Sequence, residues 1–342
     1  MQFKVQIALL FCTLKIYNKC MKSKYSKSYL IETGIGLQAV DGLSNSTYFK
    51  TNAKKYIKGE ISIDELENII TSYYKHKKDV EDRSDEADIV ATRITKLIND
   101  DSFSFSIGQL LSIHEYLFKG IIKDNGKLRK YNISKDEWVL NGKSVIYADY
   151  RDLKQILIYD FAREEDFDYQ NLNINEIIEH LASFISNLWQ IHAFEEGNTR
   201  TTAVFLIKYL RTLGFDATND AFSKNAYYFR NALVRANYND LVNGVFEDKS
   251  FLIKFLRNLL LNEKNELNSK DLNIKQIKKY DISDRESNLI TLIKKNPKIT
   301  AVELSKELGC STRTIKSVLS ILQDKNIIVR KNGKKNGYWQ IV

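Results

Sequence analysis

Along most of this chain, apolar residues return three and four positions apart. Between residues 89 and 263 the pattern is carried by six segments: IVATRITKLIND, SIGQLLSIHEYLFKGI, RDLKQILIYDFAREE, INEIIEHLASFISNLWQIH, TRTTAVFLIKYLRTLG and KSFLIKFLRNLLLNE. That period predicts successive amphipathic helices. Gly214 stands where the fifth must stop, at the position that favours a left-handed residue. One stretch breaks the period. In KYNISKDEWVLNGKSVIYA, residues 130–148, Asn141-Gly142 lies between two β-prone runs, which predicts a hairpin. A single hairpin cannot build a sheet core, so it is expected to project over something as a flap.

The flanks follow other patterns. From Thr47 to Lys78 the spacing is again helical. Ser62 and Glu65 form a capping box that opens a run with Leu66, Ile69, Ile70 and Tyr73 on one face. KHKKDVEDRSDEAD, residues 75–88, is nearly all charged and reads as a solvated connector or an exposed helix end. Residues 262–279 are polar and read as a linker or bridging helix. Beyond them, Ser283 with Glu286 and Thr300 with Glu303 open two short helices, and Gly309 closes the second. A third helix follows Ser311, and IIVRKNGKKNGYWQIV reads as two strands around a basic turn. Helix, helix, turn, helix and hairpin is the winged helix-turn-helix order. The predicted fold is mainly α. Its predicted parts are an extension over 1–20, a helical module over 21–87, a central domain over 88–263, a linker over 264–282 and a winged helix over 283–342.

Composition sharpens this in three places. One proline and 14 glycines are few, in keeping with helices. Cys12, Cys20 and Cys310 form no paired framework and no metal cluster, which fits a reducing, cytoplasmic setting. The net charge of +9 is uneven: residues 284–342 hold 12 Lys/Arg against 5 Asp/Glu, leaving 40 against 38 elsewhere. A polyanion is therefore expected at the C-terminal domain. The apolar run Ile7–Leu14 is too short to span a bilayer, so no membrane partner is expected. Met21 is read as the true start, with a signal-like segment or a buried helix as alternatives for residues 1–20.

The chemistry concentrates in HAFEEGNTR, residues 192–200. His192 titrates near neutrality and suits a general base. Glu196 suits a hard Mg²⁺. Gly197 and Asn198 open a helix whose free amides attract an anion, and Arg200 adds a planar fork for phosphate oxygens. Phe194 is expected to anchor the loop in the core. A base, a metal carboxylate and a phosphate cradle together imply phosphoryl or nucleotidyl transfer. The order H-x-F-x-E-G-N-x-R arises by chance in a chain this long on the order of once in 100,000 or less.

That string resembles the Fic family signature, H-x-F-x-[DE]-G-N-x-R. The resemblance extends to the flanks, with GKLRKYNI leading into the hairpin and ALVRANYND, residues 232–240, similar to the helix that lines the nucleotide base. It implies a Fic-type helical domain with a β-hairpin flap, and transfer of AMP from ATP, with Mg²⁺, to a Ser, Thr or Tyr hydroxyl of a target protein. His192 is then the base and Glu196 the metal ligand. Gly197, Asn198, Thr199 and Arg200 hold phosphates, and Asn237 contacts the adenosine. The flap, with Glu137, Trp138, Val139, Val145, Ile146 and Tyr147, pairs with an extended target segment. A homodimer is a further expected partner.

The sequence departs from the family at three positions. Ala193 replaces a proline, Thr199 a glycine, and Ala203 the second arginine that the family often carries three residues after the first. The family's silencing motif, [ST]-x-x-x-E-[GN], has its nearest match at Thr47 to Asn52, with Thr51 where glutamate belongs. The helical module is therefore expected to lack the glutamate switch. In the C-terminal domain, Thr312, Arg313 and Lys316 would read bases, and Lys334 and Lys335 would meet phosphates. Two alternatives stand beside AMP transfer. One is a DNA-binding regulator with a degenerate central domain. The other is an enzyme of the same fold that removes AMP or uses another phosphate-containing donor.

Overall fold

The computed structural model describes residues 25–76, 82–274, 283–325, 327–332 and 337–341. The N-terminal extension with Met21, and Lys334 and Lys335, lie outside them. Two compact units result. One runs up to Asn237 and resumes over Asp248–Asn273; the other joins Tyr238–Glu247 to the residues from Ile274 onward.

In the larger unit, α1 (Lys27–Gly36), α2 (Thr47–Lys58), α3 (Ile63–His76) and α4 (Ser84–Asn99) pack around Ile31, Phe49, Tyr56, Leu66, Ile70 and Ala91. The capping box at the start of α3 is formed, with Ser62 N–H donating to Glu65 Oε2 at 2.7 Å and Glu65 N–H to Ser62 Oγ at 3.1 Å. The charged stretch over 75–88 runs into α4 and is not a solvated face throughout. Asp88 is fully buried and accepts from Asn45, from Ser46 and from the Tyr74 hydroxyl at 2.6 Å. Glu86 is buried as well. Buried carboxylates persist only when paired, and both are.

The rest of this unit comprises α5 (Ile107–Phe118), α6 (Leu153–Glu165), α7 (Ile174–Ile191), α8 (Asn198–Thr212), α9 (Ala221–Ala236) and α10 (Ser250–Leu261). Helix α8 is buried along almost its whole length. It ends as expected, with Gly214 at φ +91° and Phe215 N–H bonded to the Leu210 carbonyl. Buried Glu164 ties α6, α7 and α8 together, accepting from Tyr169, Tyr209 and His180, each at 2.6 Å. Over residues 130–148 the turn forms where Asn141-Gly142 predicts it, with φ of +56° and +83°. Its arms are extended but build no strand ladder among the described residues. Glu137, Val139 and Leu140 are buried, and a 3₁₀ turn spans Trp138–Leu140, so inward anchoring replaces regular cross-strand pairing. The flap is a tethered loop of hairpin shape.

The smaller unit contains α11 (Asp284–Lys295), α12 (Ala301–Glu307), α13 (Thr312–Asp324) and an antiparallel pair, β1 (Ile328–Lys331) and β2 (Tyr338–Ile341). Both predicted capping boxes are formed. Leu289, Ile290, Ile293, Leu304, Ile315, Leu319, Leu322 and Ile328 make its core, with Leu241 and Phe246 packed against it. This is the winged-helix order.

Candidate active site

Helix α7 ends at Ile191, and His192 follows in a left-handed conformation, φ +49° and ψ +57°. Histidine tolerates this better than most residues, and the turn carries the chain sharply into the loop. The carbonyls left at the helix end are taken by a residue the sequence reading did not single out. Arg129, almost fully buried, donates Nε–H to the His192 carbonyl at 2.8 Å. Its Nη groups reach the carbonyls of Tyr131, Ala148 and Ile191, and its own N–H bonds the Ala193 carbonyl. One guanidinium thus fastens the base of the flap to the start of the loop.

The His192 ring is 3% exposed. Its Nδ1 faces the Trp189 carbonyl at 3.4 Å, and its Nε2 has no hydrogen-bond partner among the described residues. Burial holds this imidazole well below its ordinary value; Lys135, then Arg129 and Arg230, push the same way. With the proton on Nδ1, Nε2 presents a free lone pair. Tyr147 lies against the ring, 4.1 Å between centroids, with its hydroxyl 3.4 Å from Glu137. Glu137 is itself held by Arg230 at 2.6 and 3.1 Å.

The middle of the loop is stapled from both sides. Phe194 is buried and stacks on His114, 3.8 Å and 12° apart. His114 accepts from Gly126 N–H at Nδ1 and so donates from Nε2 to the Glu196 carbonyl, at 2.8 and 3.0 Å. Burial lowers its pKa to about 4 and keeps it in that neutral form. Asn198 spends its whole side-chain amide on Phe194, accepting from the N–H at 2.9 Å and donating to the carbonyl at 2.7 Å. Thr199 accepts from the Trp189 indole at 2.9 Å. Gly197 has φ +73°, and a Cβ there would lie 2.3 Å from the Phe118 ring. The glycine is thus required by the backbone and by packing. It also leaves α8 without any side-chain cap, so the first-turn amides, which lack intrahelical partners, keep their pull on an anion. Glu196 is exposed at the rim, with Lys135 Nζ 3.2 Å from its carboxylate.

Arg200 is not placed as a free fork. It is fully buried. Its Nη2 donates to Glu86 at 2.6 Å and lies 2.8 Å from Asp41, its Nη1 donates to Gln38 at 3.0 Å, and Phe118 lies under the guanidinium at 4.8 Å. Thr51, the position matched to the silencing glutamate, is exposed and bonds only the Thr47 carbonyl of its own helix. Asn237 caps α9 and donates to the carbonyls of Ser186 and Leu233. Asn231, also on α9, is buried, and neither of its amide atoms has a partner among the described residues. Of the flap residues, Glu137, Val139, Val145 and Tyr147 point inward, and Trp138 and Ile146 are exposed. In the smaller unit, Thr312, Arg313 and Lys316 are exposed at the start of α13.

Residues 104–210 match the Fic/DOC family, and residues 285–339 match an HTH domain. Over 114 residues, 33% of the chain, the sequence is 28% identical to Protein adenylyltransferase VbhT of Bartonella schoenbuchensis (strain DSM 13525 / NCTC 13165 / R1). The chain spans 23% of that protein's length. Among solved structures, a Fic family protein from Desulfovibrio desulfuricans G20 aligns with 99% of this chain and 93% of its own, at 14% identity and a TM-score of 0.45. The chain carries a Fic/DOC domain at its centre and a helix-turn-helix domain towards its C-terminus. Among the described residues no helix is long and apolar enough to cross a membrane.

Proposed function

We propose that this chain transfers AMP from ATP to a hydroxyl of a target protein. The observation that carries this reading is the His192 Nε2 atom, buried and without a hydrogen-bond partner among the described residues, in the loop that leads into the uncapped start of α8. In the proposed reaction Nε2 takes the proton of the target hydroxyl. The oxygen bonds the α-phosphorus, the bond from that phosphorus to the bridging oxygen breaks, and pyrophosphate leaves with the electron pair. The α8 amides stabilise phosphate charge. His114, Asn198 and Arg129 hold the loop in register, so the base meets the hydroxyl without reorganising.

Glu196 would hold Mg²⁺, which when bound neutralises phosphate charge. The fit is physical: the carboxylate is exposed at the loop rim, and an ammonium already sits in the position of a cation. Among the described residues no three His, Cys, Asp or Glu side chains cluster, so the remaining ligands would be nucleotide oxygens, a common arrangement for Mg²⁺. The winged helix would bind DNA through Arg313 and Lys316, with affinity that falls steeply as salt rises.

A second reading is favoured by one observation, the enclosure of Arg200 by Glu86 and Asp41. In it the central domain binds a nucleotide without turning it over, and the chain acts as a DNA-binding regulator. Incubation with α-labelled ATP and Mg²⁺, wild type beside His192→Ala, separates the two. Label on the protein or a target, lost in the variant, supports transfer; bound nucleotide with no label supports the regulator.

A further inference from the structure

Among the described residues, Arg129, Arg230, Arg200 and Lys135 stand around the loop, and the three arginines are committed. Arg129 is spent on main-chain carbonyls, Arg230 on buried Glu137, and Arg200 on Glu86 and Asp41. Lys135 differs. Its side chain keeps 26% of its exposure, and its partner Glu196 keeps 51%. A pair this open to water is held weakly. The backbone beneath it is fixed, with Lys135 N–H bonded to Ser144 Oγ at 3.1 Å and Glu137 N–H to the Lys143 carbonyl at 3.1 Å. A flexible four-carbon stem therefore swings from a fixed root, beside the uncapped N-terminus of α8. Among the charges that bear on His192, that of Lys135 acts most strongly.

The geometry points to Lys135 as a positioning residue for the phosphates of the nucleotide, displaced from Glu196 by the divalent cation. This rests on the AMP-transfer reading for the identity of the ligand. Without nucleotide, the ammonium neutralises Glu196 and fills the cation's place. A divalent cation and an ammonium repel, so a cation on Glu196 would weaken the hold of that carboxylate on the ammonium. With Glu196 holding a cation, the Lys135 ammonium would be free to turn towards phosphate oxygens, for which a compact charge on a flexible stem is suited. Lys135 thereby links filling of the cation site to grip on the polyphosphate. No bond to Lys135 is made or broken.

The test uses the full chain and Mn²⁺ as the probe, with free Mn²⁺ read by electron paramagnetic resonance. Wild type, Lys135→Met and Lys135→Arg are titrated alone and with a non-hydrolysable ATP analogue. Loss of the competing ammonium should tighten binding of Mn²⁺ alone by about threefold in Lys135→Met, the scale of an exposed pair. The same variant should bind the analogue with Mn²⁺ about tenfold more weakly, as for a lost charge-assisted hydrogen bond. Lys135→Arg should stay near wild type in both. Equal affinities in wild type and Lys135→Met overturn the inference and leave the AMP-transfer reading standing. Weaker binding of Mn²⁺ alone in Lys135→Met also overturns it, since that variant would then only have disturbed the loop. No Mn²⁺ or analogue binding by any of the three removes both.

Discussion

His192 and Arg200 stand at opposite ends of one loop, both buried, and their surroundings are opposite. Among the described residues His192 Nε2 meets no partner, while the Nη groups of Arg200 meet two carboxylates and an amide. A buried polar atom left unpaired is costly, and on the ring of a candidate base it is the atom that a substrate hydroxyl would satisfy. A buried charge engaged through both Nη groups, as here, must be released before it can hold anything else, although Arg200 Nε itself has no hydrogen-bond partner among the described residues. The loop thus carries a base that is ready beside a phosphate fork that is engaged. The two ends predict different experimental signatures.

The largest effect belongs to the ready end. His192→Ala should lower AMP transfer by about 100- to 10,000-fold, the range for loss of a general base, with nucleotide affinity little changed. The pH profile checks the same point. Burial depresses the His192 pKa well below 6.5, so the imidazole stays unprotonated as pH falls through that value. The kcat/KM profile of transfer should therefore show no acid limb near pH 6.5. A limb centred there would mean that His192 titrates as an open histidine, and the contrast with Arg200 would fail.

At the engaged end the effect is on stability. Arg200→Ala leaves Glu86 and Asp41 facing a void, and breaking a buried pair costs about 3 kcal/mol or more. Arg83, bonded to Glu86 at 2.9 Å by two nitrogens, softens the loss. The shift in urea midpoint measures it. Neutralising the partners instead, as Glu86→Gln with Asp41→Asn, should free the fork and tighten nucleotide binding by about tenfold, the worth of one charge-assisted contact. Unchanged nucleotide affinity in that double variant would show that the clamp does not compete with the ligand.

The residue types of the loop, the capping boxes, the end of α8 and the winged-helix order were all legible in the sequence, because each is a local pattern. What was not legible depends on tertiary contacts. Helix α1 was not singled out within the helical module, and its Gly34 and Gly36 show why packing is not read from spacing: a Cβ on either would lie 2.4 Å from a backbone oxygen of Ala91 or Ser223. Those glycines serve close packing. Glu86 and Asp88 looked like part of a solvated charge run, since the partners that bury them come from distant segments. Arg129 and His114 carried no spacing signal, and only the fold brings them onto the loop. The expected hairpin failed as a ladder because its arms are anchored inward through Glu137 and Val139, which a binary pattern does not report.

His114 gives a smaller effect, between the two ends. Its pKa of about 4 in the folded chain lies below the ordinary 6.5. The unfolded chain therefore binds the proton first as pH falls. The stability held by the neutral ring is complete above pH 6.5 and drains away from there down to about 4. The loss should be about 2 kcal/mol by pH 5, read as the difference in unfolding free energy between pH 7 and 5. His114→Gln, which keeps a donor and an acceptor, should flatten that part of the slope. An unchanged slope would reassign it to another group and leave the staple beneath Glu196 untested by pH.

The smallest expected effect discriminates between two sources of acidic control over Arg200. Thr51 occupies the place where the family's silencing motif would put glutamate, but it lies exposed on α2 with its hydroxyl turned to its own helix. The carboxylates that reach Arg200 come from Glu86 on α4 and from Asp41 in the turn after α1. Thr51→Ala should then shift stability by no more than about 0.5 kcal/mol, as for other surface substitutions, and leave nucleotide affinity at the wild-type value. Thr51→Glu should behave the same way, because position 51 is exposed while the guanidinium is buried. If Thr51→Glu instead weakened nucleotide binding while Glu86→Gln with Asp41→Asn did nothing, control would lie with α2. The engaged end of the loop would then owe its state to a different surface from the one that touches it.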